Sequence, residues 1–333
     1  MMLFLPGIGA AQTQVESKPN LSAPGGETAR FITLTVENDS LGSGADRNYT
    51  NGFNLTYHNT GHASDYLKDM CRKYVPFFEI NQTTSMYYTL GQNMYTPDDI
   101  TARTPDPEDR PYAGFLYGSF SIHTLQQDHV DEFAAAFGVV GPWALGEVAQ
   151  ESVHDLLRIR DPSGWDHQLD NEPAINLSYQ RQWPKAYSKE YGPLYFRAAP
   201  HVRFSVGNVF TYAAAGVLAQ WTPQRNRWQS QPLRIRPAFP GSGFFTEPAG
   251  MFSWSVFMGL EGRAMGRNIF LDGNTFEDSP SVDKKYFVAD ASGGISFTLK
   301  RTRISYSVNW RSEEFEGQDE PSVFGIISIG HRF

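Results

Sequence analysis

From residue 30 onward the chain alternates apolar and polar side chains, segment after segment. Ile304, Tyr306, Val308 and Trp310 oppose Arg303, Ser305, Ser307, Asn309 and Arg311. Phe252, Trp254, Val256, Met258 and Leu260 oppose Ser253, Ser255 and Glu261, while Leu194, Phe196, Ala198, Val202 and Phe204 oppose Arg197, His201 and Arg203. Successive side chains of a strand point to opposite faces, so such runs make two-faced strands. Candidate strands fall at 30–38, 51–59, 85–95, 113–126, 130–141, 173–183, 193–207, 210–221, 251–265, 284–299, 302–314 and 322–333, twelve in all. Long helical spacing occurs only at 145–158.

The second face of each strand decides the solvent. A soluble secreted sandwich also alternates, but its apolar faces meet each other and its polar faces are general surface. Here the apolar faces carry Trp, Tyr and Phe near strand ends, and the opposite faces carry Arg, Asn, His and Glu. That pattern suits a barrel with lipid outside and a wet, charged interior. The chain ends in VFGIISIGHRF, which puts Ile327 and Ile329 on one face with the terminal Phe333, as in the last strand of outer-membrane barrels. No window approaches 18 consecutive apolar residues, which argues against a transmembrane helix and leaves a barrel open. The expectation is an all-β fold, a twelve-stranded antiparallel transmembrane β-barrel over 30–333 with a short helix in an outer loop.

Composition closes off other classes. Hydrophobic content of 40% with 14% aromatics excludes a disordered chain. A net charge of −8 gives no reason to expect nucleic acid as a partner. The lone Cys71 excludes an internal disulfide framework and a cysteine zinc site. The start, MMLFLPGIGAAQTQ, reads as a signal-peptide remnant over 1–11 that lacks a basic n-region, followed by a mobile lead-in over 12–29. With the N-terminus on the periplasmic side, the outer loops include 39–50, 96–112 and 142–172. The connection 60–84 then lies on the periplasmic side, where it is unusually long. It holds Lys68, Cys71, Arg72 and Lys73, and nothing in the sequence assigns it a function.

The polar clusters gather in the outer loops. Asn38 and Asp39 end the first strand and offer hard oxygen ligands suited to calcium, though by themselves they favour an Asx turn closing the hairpin. Thr50 opens the second strand beside them, as a ligand or as an ordinary strand threonine. Arg103 and Arg110 are cations able to meet phosphate or sugar oxygens, and Asp109 could hold Arg110 in a structural pair. On the helix at 145–158, Leu145, Val148, Leu156 and Leu157 are the apolar candidates, and Gln150 and His154, four apart, share a face. A histidine is the natural general base near neutral pH, and a neighbouring amide can orient it or its water; a plain surface histidine is the competing reading. Ser152 lies off that face. No G-x-S-x-G elbow, glycine-rich phosphate loop or zinc signature occurs.

In order and spacing over 30–183, VENDS, DRNYTNG, GQNMYTP, DRPYAGFLYG and GVVGP…QESVH together resemble the outer-membrane lipid A 3′-O-deacylase family. Each motif is weak by itself; the ordered set is specific. The resemblance implies a twelve-stranded barrel, monomeric in the bacterial outer membrane, that uses calcium to hydrolyse the 3′-linked acyloxyacyl chain of lipid A. It assigns His154 as general base with Gln150 as companion, and a first-hairpin site of Asn38, Asp39 and Thr50 with Asp39 on the metal. Arg103 and Arg110 would then meet the substrate. Where the family carries a lysine after its Y-[ST]-P turn, this chain places Ala102, with Arg103 beside it. The alternatives are an outer-membrane phospholipase, which calls for a Ser–His pair on the barrel wall, and a porin-like barrel that needs only the strands.

Overall fold

The computed structural model describes residues 28–42, 48–61, 64–75, 78–157, 161–223 and 243–333. The signal-like segment 1–11, nearly all of the lead-in, and Asp46 and Arg47 lie outside them. Thirteen strand segments among the described residues form one antiparallel sheet. They are β1 (Arg30–Asn38), β2 (Asn48–Asn59), β3 (Ser85–Thr96), β4 (Ala113–Leu125), β5 (Val130–Val140), β6 (Glu172–Gln182) and β7 (Tyr187–Tyr191). Then come β8 (Leu194–Gly207), β9 (Phe210–Thr222), β10 (Phe252–Asn268), β11 (Phe287–Leu299), β12 (Thr302–Arg311) and β13 (Ser322–Arg332).

The barrel is closed and twelve-stranded. First and last strands pair from Phe31↔Arg332 to Asn38↔Gly325, and β6 meets β8 from Asn176↔Gly207 to Gln182↔His201. The short β7 takes the rest of the same β8 edge, from Tyr187↔Ala198 to Tyr191↔Leu194. Segments β6 and β7 are therefore one strand, interrupted at 183–186. Pro184 has no N–H to donate and breaks the ladder there. The sequence reading ended that strand at 183 and missed its continuation.

Alternation sets which face meets which solvent. Ile304, Tyr306, Trp310, Ile327, Ile329 and Phe333 are exposed on the outside, while Arg303, Ser305, Ser307, Asn309 and Arg311 are buried inside. Closure leaves no free sheet edge in lipid, where an unpaired main-chain group costs several kcal/mol, roughly what one lost hydrogen bond costs in an apolar medium.

Charged as expected, the interior is also filled. His201 and Arg203 both meet Oε2 of Glu261, at 2.8 and 2.7 Å. Arg263 pairs with Asp290, and Arg311 donates to Asp290 at 2.8 Å. At the outer end the single-turn helix α3 (Ile269–Asp272) buries Ile269, Phe270 and Leu271, with Phe270 stacked on Tyr95 at 3.9 Å. Near the other end Phe244 and Phe245 pack edge-on against Phe31 at 5.6 and 5.3 Å. A lumen packed at both levels gives no support to the porin-like alternative.

Two further helices accompany α3: α1 (Asp65–Tyr74) and α2 (Gly146–Leu157). Helical spacing pointed to α2 alone. A single turn such as α3 is too short to leave a period, and α1 sits in the periplasmic connection for which the sequence suggested no element.

Candidate active site on the outer wall

Register places the first hairpin and α2 at the same end of the barrel. Asn38 pairs with Asn51, Asn51 with Met94, and Met94 with Gly114. Gly141 then donates its N–H to the Gly114 carbonyl at 3.0 Å. Two inter-strand spacings separate Asn38 from Met94, so about 10 Å of wall lies between them.

These positions also share the outward parity of their strands, alongside exposed Ile32, Leu34, Phe53, Leu55 and Leu90. Met94 is nevertheless buried, because α2 lies over it: Met94, Tyr112 and Trp165 form one apolar cluster with Ala149 packed against it. Gln92, also outward, donates its amide N–H to the carbonyls of Ala144 and Leu145 at 2.7 and 3.2 Å. The helix thus rests on the lipid-facing wall and not over the lumen.

Two glycines permit that contact. A Cβ on Gly114 would stand 3.1 Å from the Ala144 methyl and 3.2 Å from the Gly146 nitrogen; one on Gly146 would stand 2.7 Å from the Trp165 ring. The approach turns sharply through Gly141 at φ 100° and Leu145 at φ 57°. A left-handed leucine costs on the order of 1 kcal/mol, a strain that this docking must hold.

The face of α2 against the wall is the polar one. Gln150 and His154 are 2% and 4% exposed, whereas Val148 is 57% exposed and Leu145, at the helix start, 53%. Of the apolar candidates on this helix, Leu145 and Val148 therefore point away from the wall; the side chains of Leu156 and Leu157 lie outside the description. Where lipid is the surrounding solvent, exposed apolar groups cost nothing and buried polar ones are sheltered. Trp165 donates its indole N–H to Oε1 of Gln150 at 2.8 Å. Sequence reasoning missed Trp165. Its signal, an aromatic in a polar loop shortly after the helix, has no fixed spacing.

On the first hairpin, Asn38 caps the 3-10 turn Asp39–Leu41 by accepting the Ser40 N–H at 2.9 Å. Asp39 accepts the same N–H at 2.7 Å and is buried. The Asx turn is therefore present, together with a sheltered carboxylate that a turn alone does not need. Thr50 falls in β2 between Tyr49↔Tyr95 and Asn51↔Met94, where the register shifts. It is the extra residue of a bulge, a feature common beside active sites; its side chain lies outside the description.

The two arginines part company. Arg103 is exposed on the outer loop. Arg110 is buried and pairs with Glu314 at 3.1 Å, with the Tyr95 and Phe315 rings 5.7 and 5.5 Å from its guanidinium. It faces the lumen, away from the wall on which α2 rests, which corrects its expected place at the substrate. Asp109 accepts main-chain N–H groups of Asp98 and Arg110 at 2.6 and 2.7 Å and so is not the partner of the Arg110 side chain. Burial pushes the Glu314 carboxyl up, but Arg311 and Arg110 outweigh it and hold the group below the usual glutamate value.

Among the described residues no three His, Cys, Asp or Glu side chains converge to hold a metal. An ion at the first hairpin would take Asp39 as its carboxylate and fill its shell from amide, hydroxyl and main-chain oxygens and water. That all-oxygen donor chemistry suits calcium and not zinc.

The comparisons agree with the architecture. LpxR from Salmonella typhimurium has a TM-score of 0.73 at 19% identity, covering 90% of this chain and 99% of that one; at this identity the likeness shows the shared fold. The β domain of the Bordetella autotransporter BrkA aligns at a TM-score of 0.41 and 8% identity over 92% and 98% of the two chains, too distant to carry an argument. The curated proteins compared give no match. A family model described as outer membrane protein LpxR matches residues 1–333. The closed barrel, its lipid-facing wall and that whole-chain match converge: the chain belongs to the LpxR family of outer membrane proteins.

Proposed function

We propose that the protein is a lipid A deacylase that hydrolyses the 3′-linked acyl ester of lipid A in the outer leaflet. The observation that carries this reading is the sheltered Gln150–His154 face of α2, laid on the lipid-facing wall at the level of Asn38, Asp39 and Thr50. A lumenal site would serve a solute; a site on the outer wall serves a substrate that lies in the membrane.

His154 takes a proton from water, and the resulting hydroxide attacks the ester carbonyl carbon. The bond between the carbonyl carbon and the 3′ oxygen breaks, the imidazolium returns its proton to that oxygen, and the acyl chain leaves as a carboxylic acid that ionises to solvent. Gln150, held by Trp165, orients the imidazole or its water. Calcium, when bound through Asp39, supplies charge for the oxyanion that forms on the carbonyl. Asn38 and Thr50 shape the first-hairpin half, and the exposed Arg103 would meet a polar headgroup.

Mass spectrometry of lipid A tests the reaction. Expression in a bacterial strain lacking deacylases should yield lipid A lighter by the 3′ acyloxyacyl chain. Unchanged lipid A, with purified protein plus calcium also inactive, overturns the reading.

A further inference from the structure

The helix α1 belongs to the periplasmic end of the barrel, between the end of β2 at Asn59 and the start of β3 at Ser85. At about 100° per residue, Tyr66, Met70, Tyr74, Leu67 and Cys71 fill one arc of roughly 140°. Every charged residue, Asp65, Lys68, Asp69, Arg72 and Lys73, falls on the opposite arc. Tyr66 is 79%, Tyr74 68% and Met70 38% exposed, so the described side chains of this arc are not buried against the barrel.

The chain just after the helix is fixed to the lipid-facing wall. Phe78 is buried on Ile122, with Val75, Ile80, Met86, Phe120, Phe133 and Tyr179 packed around it. Met86, Phe120, Ile122, Phe133 and Tyr179 all have outward parity. Val75 directly follows the last helical residue, so the end of α1 meets the wall beside the first row of its lipid-exposed band, Tyr88 and Leu90.

We propose that α1 lies in the plane of the inner leaflet, with Tyr66, Met70 and Tyr74 inserted at the boundary between phospholipid headgroups and acyl chains. The apolar arc is continuous with a wall that already meets lipid. Charge placement fits the same surface. Lys68 and Lys73 occupy the two margins of the apolar arc by their places on the helix; the exposed Lys73 can reach lipid phosphates while its stem lies over acyl chains. Asp65 and Asp69 sit toward the middle of the polar arc, facing water. This inference does not depend on the reaction proposed for the outer rim.

Cys71 is the chain's sole cysteine and stands on the apolar arc. The full-length barrel is reconstituted in phospholipid nanodiscs and labelled there with an environment-sensitive fluorophore. Asp69→Cys in a Cys71→Ser background puts the same probe on the polar arc. The label at Cys71 should emit to the blue and lose about half its intensity to headgroup-level nitroxide phospholipids; the label at position 69 should emit as in water and be quenched by aqueous iodide. Two results overturn the proposal. One is water-like emission at both positions. The other is blue-shifted emission at Cys71 that nitroxide lipid does not quench, which would mean that a protein surface covers the arc.

Discussion

The indole N–H of Trp165 meets the side-chain oxygen of Gln150 at 2.8 Å, and both groups are buried against the outer wall. The loop that follows α2 therefore fixes the helix residue standing one turn before His154. Trp165→Phe keeps most of the ring and removes the donor. We expect a stability loss of about 1–2 kcal/mol, the cost of stranding a buried acceptor. Deacylation should slow roughly tenfold through the turnover step with little change in KM, because the group lost is one that orients. Steady-state kinetics on purified lipid A checks the split.

Gly146→Ala probes how α2 is seated. The added methyl would stand 2.7 Å from a buried tryptophan ring, so the helix must lift from the wall. Deacylation should fall at least about tenfold, since a displacement near 1 Å costs up to two orders of magnitude. The barrel itself should keep its heat-modifiable mobility on gels, because α2 lies outside the strand ladder.

Arg110 and Glu314 form a buried pair that ties the β3–β4 loop to the segment after β12. Arg110→Met should cost about 1–3 kcal/mol, the loss of a buried charged hydrogen bond, because Arg311 stays 3.6 Å from the same carboxylate. Arg110→Met with Glu314→Gln should not recover it, since Arg311 would then lose its own partner. The sign of the pH dependence follows from the lowered Glu314 value. Its stabilising contribution is fully present above the ordinary glutamate value and is lost as pH falls through the lowered folded one. Protease resistance of the outer loops should hold between pH 7 and pH 5 and fail only in stronger acid.

If the proposed function holds, calcium would bind through the oxygen donors around Asp39. A chelator should abolish deacylation and added calcium restore it, with zinc unable to substitute. Asp39→Asn should raise the calcium concentration needed for half-maximal rate by an order of magnitude or more, as expected for removing a carboxylate ligand. Titration of rate against free calcium reads this directly.

Much of the barrel was legible because alternation is local. The faces assigned to Ile304, Tyr306 and Trp310 against Arg303 and Arg311 are the faces observed, and Gln150 and His154 share a buried face as their spacing required. Other features depend on residues far apart in sequence. The bulge at Thr50 becomes visible only when β2 is paired with β3, and the Trp165 contact only when α2 is folded onto Met94. Spacing alone did not say which side of α2 meets the wall, because the rule for water-soluble helices reverses where lipid is the surrounding solvent. The helix α1 escaped notice because its stripe of Tyr66, Met70 and Tyr74 is interleaved with five charges.

The most direct test compares two substitutions on the same helix. Ser152 is exposed and bonds only its own helix, to the Val148 carbonyl at 2.6 Å; His154 is buried on the wall. Lipid A mass spectrometry after expression of each variant should show the 3′ chain released by Ser152→Ala as by the unaltered protein, and retained with His154→Ala. Full release by His154→Ala would contradict the central claim that the wall-facing side of α2 carries the reaction.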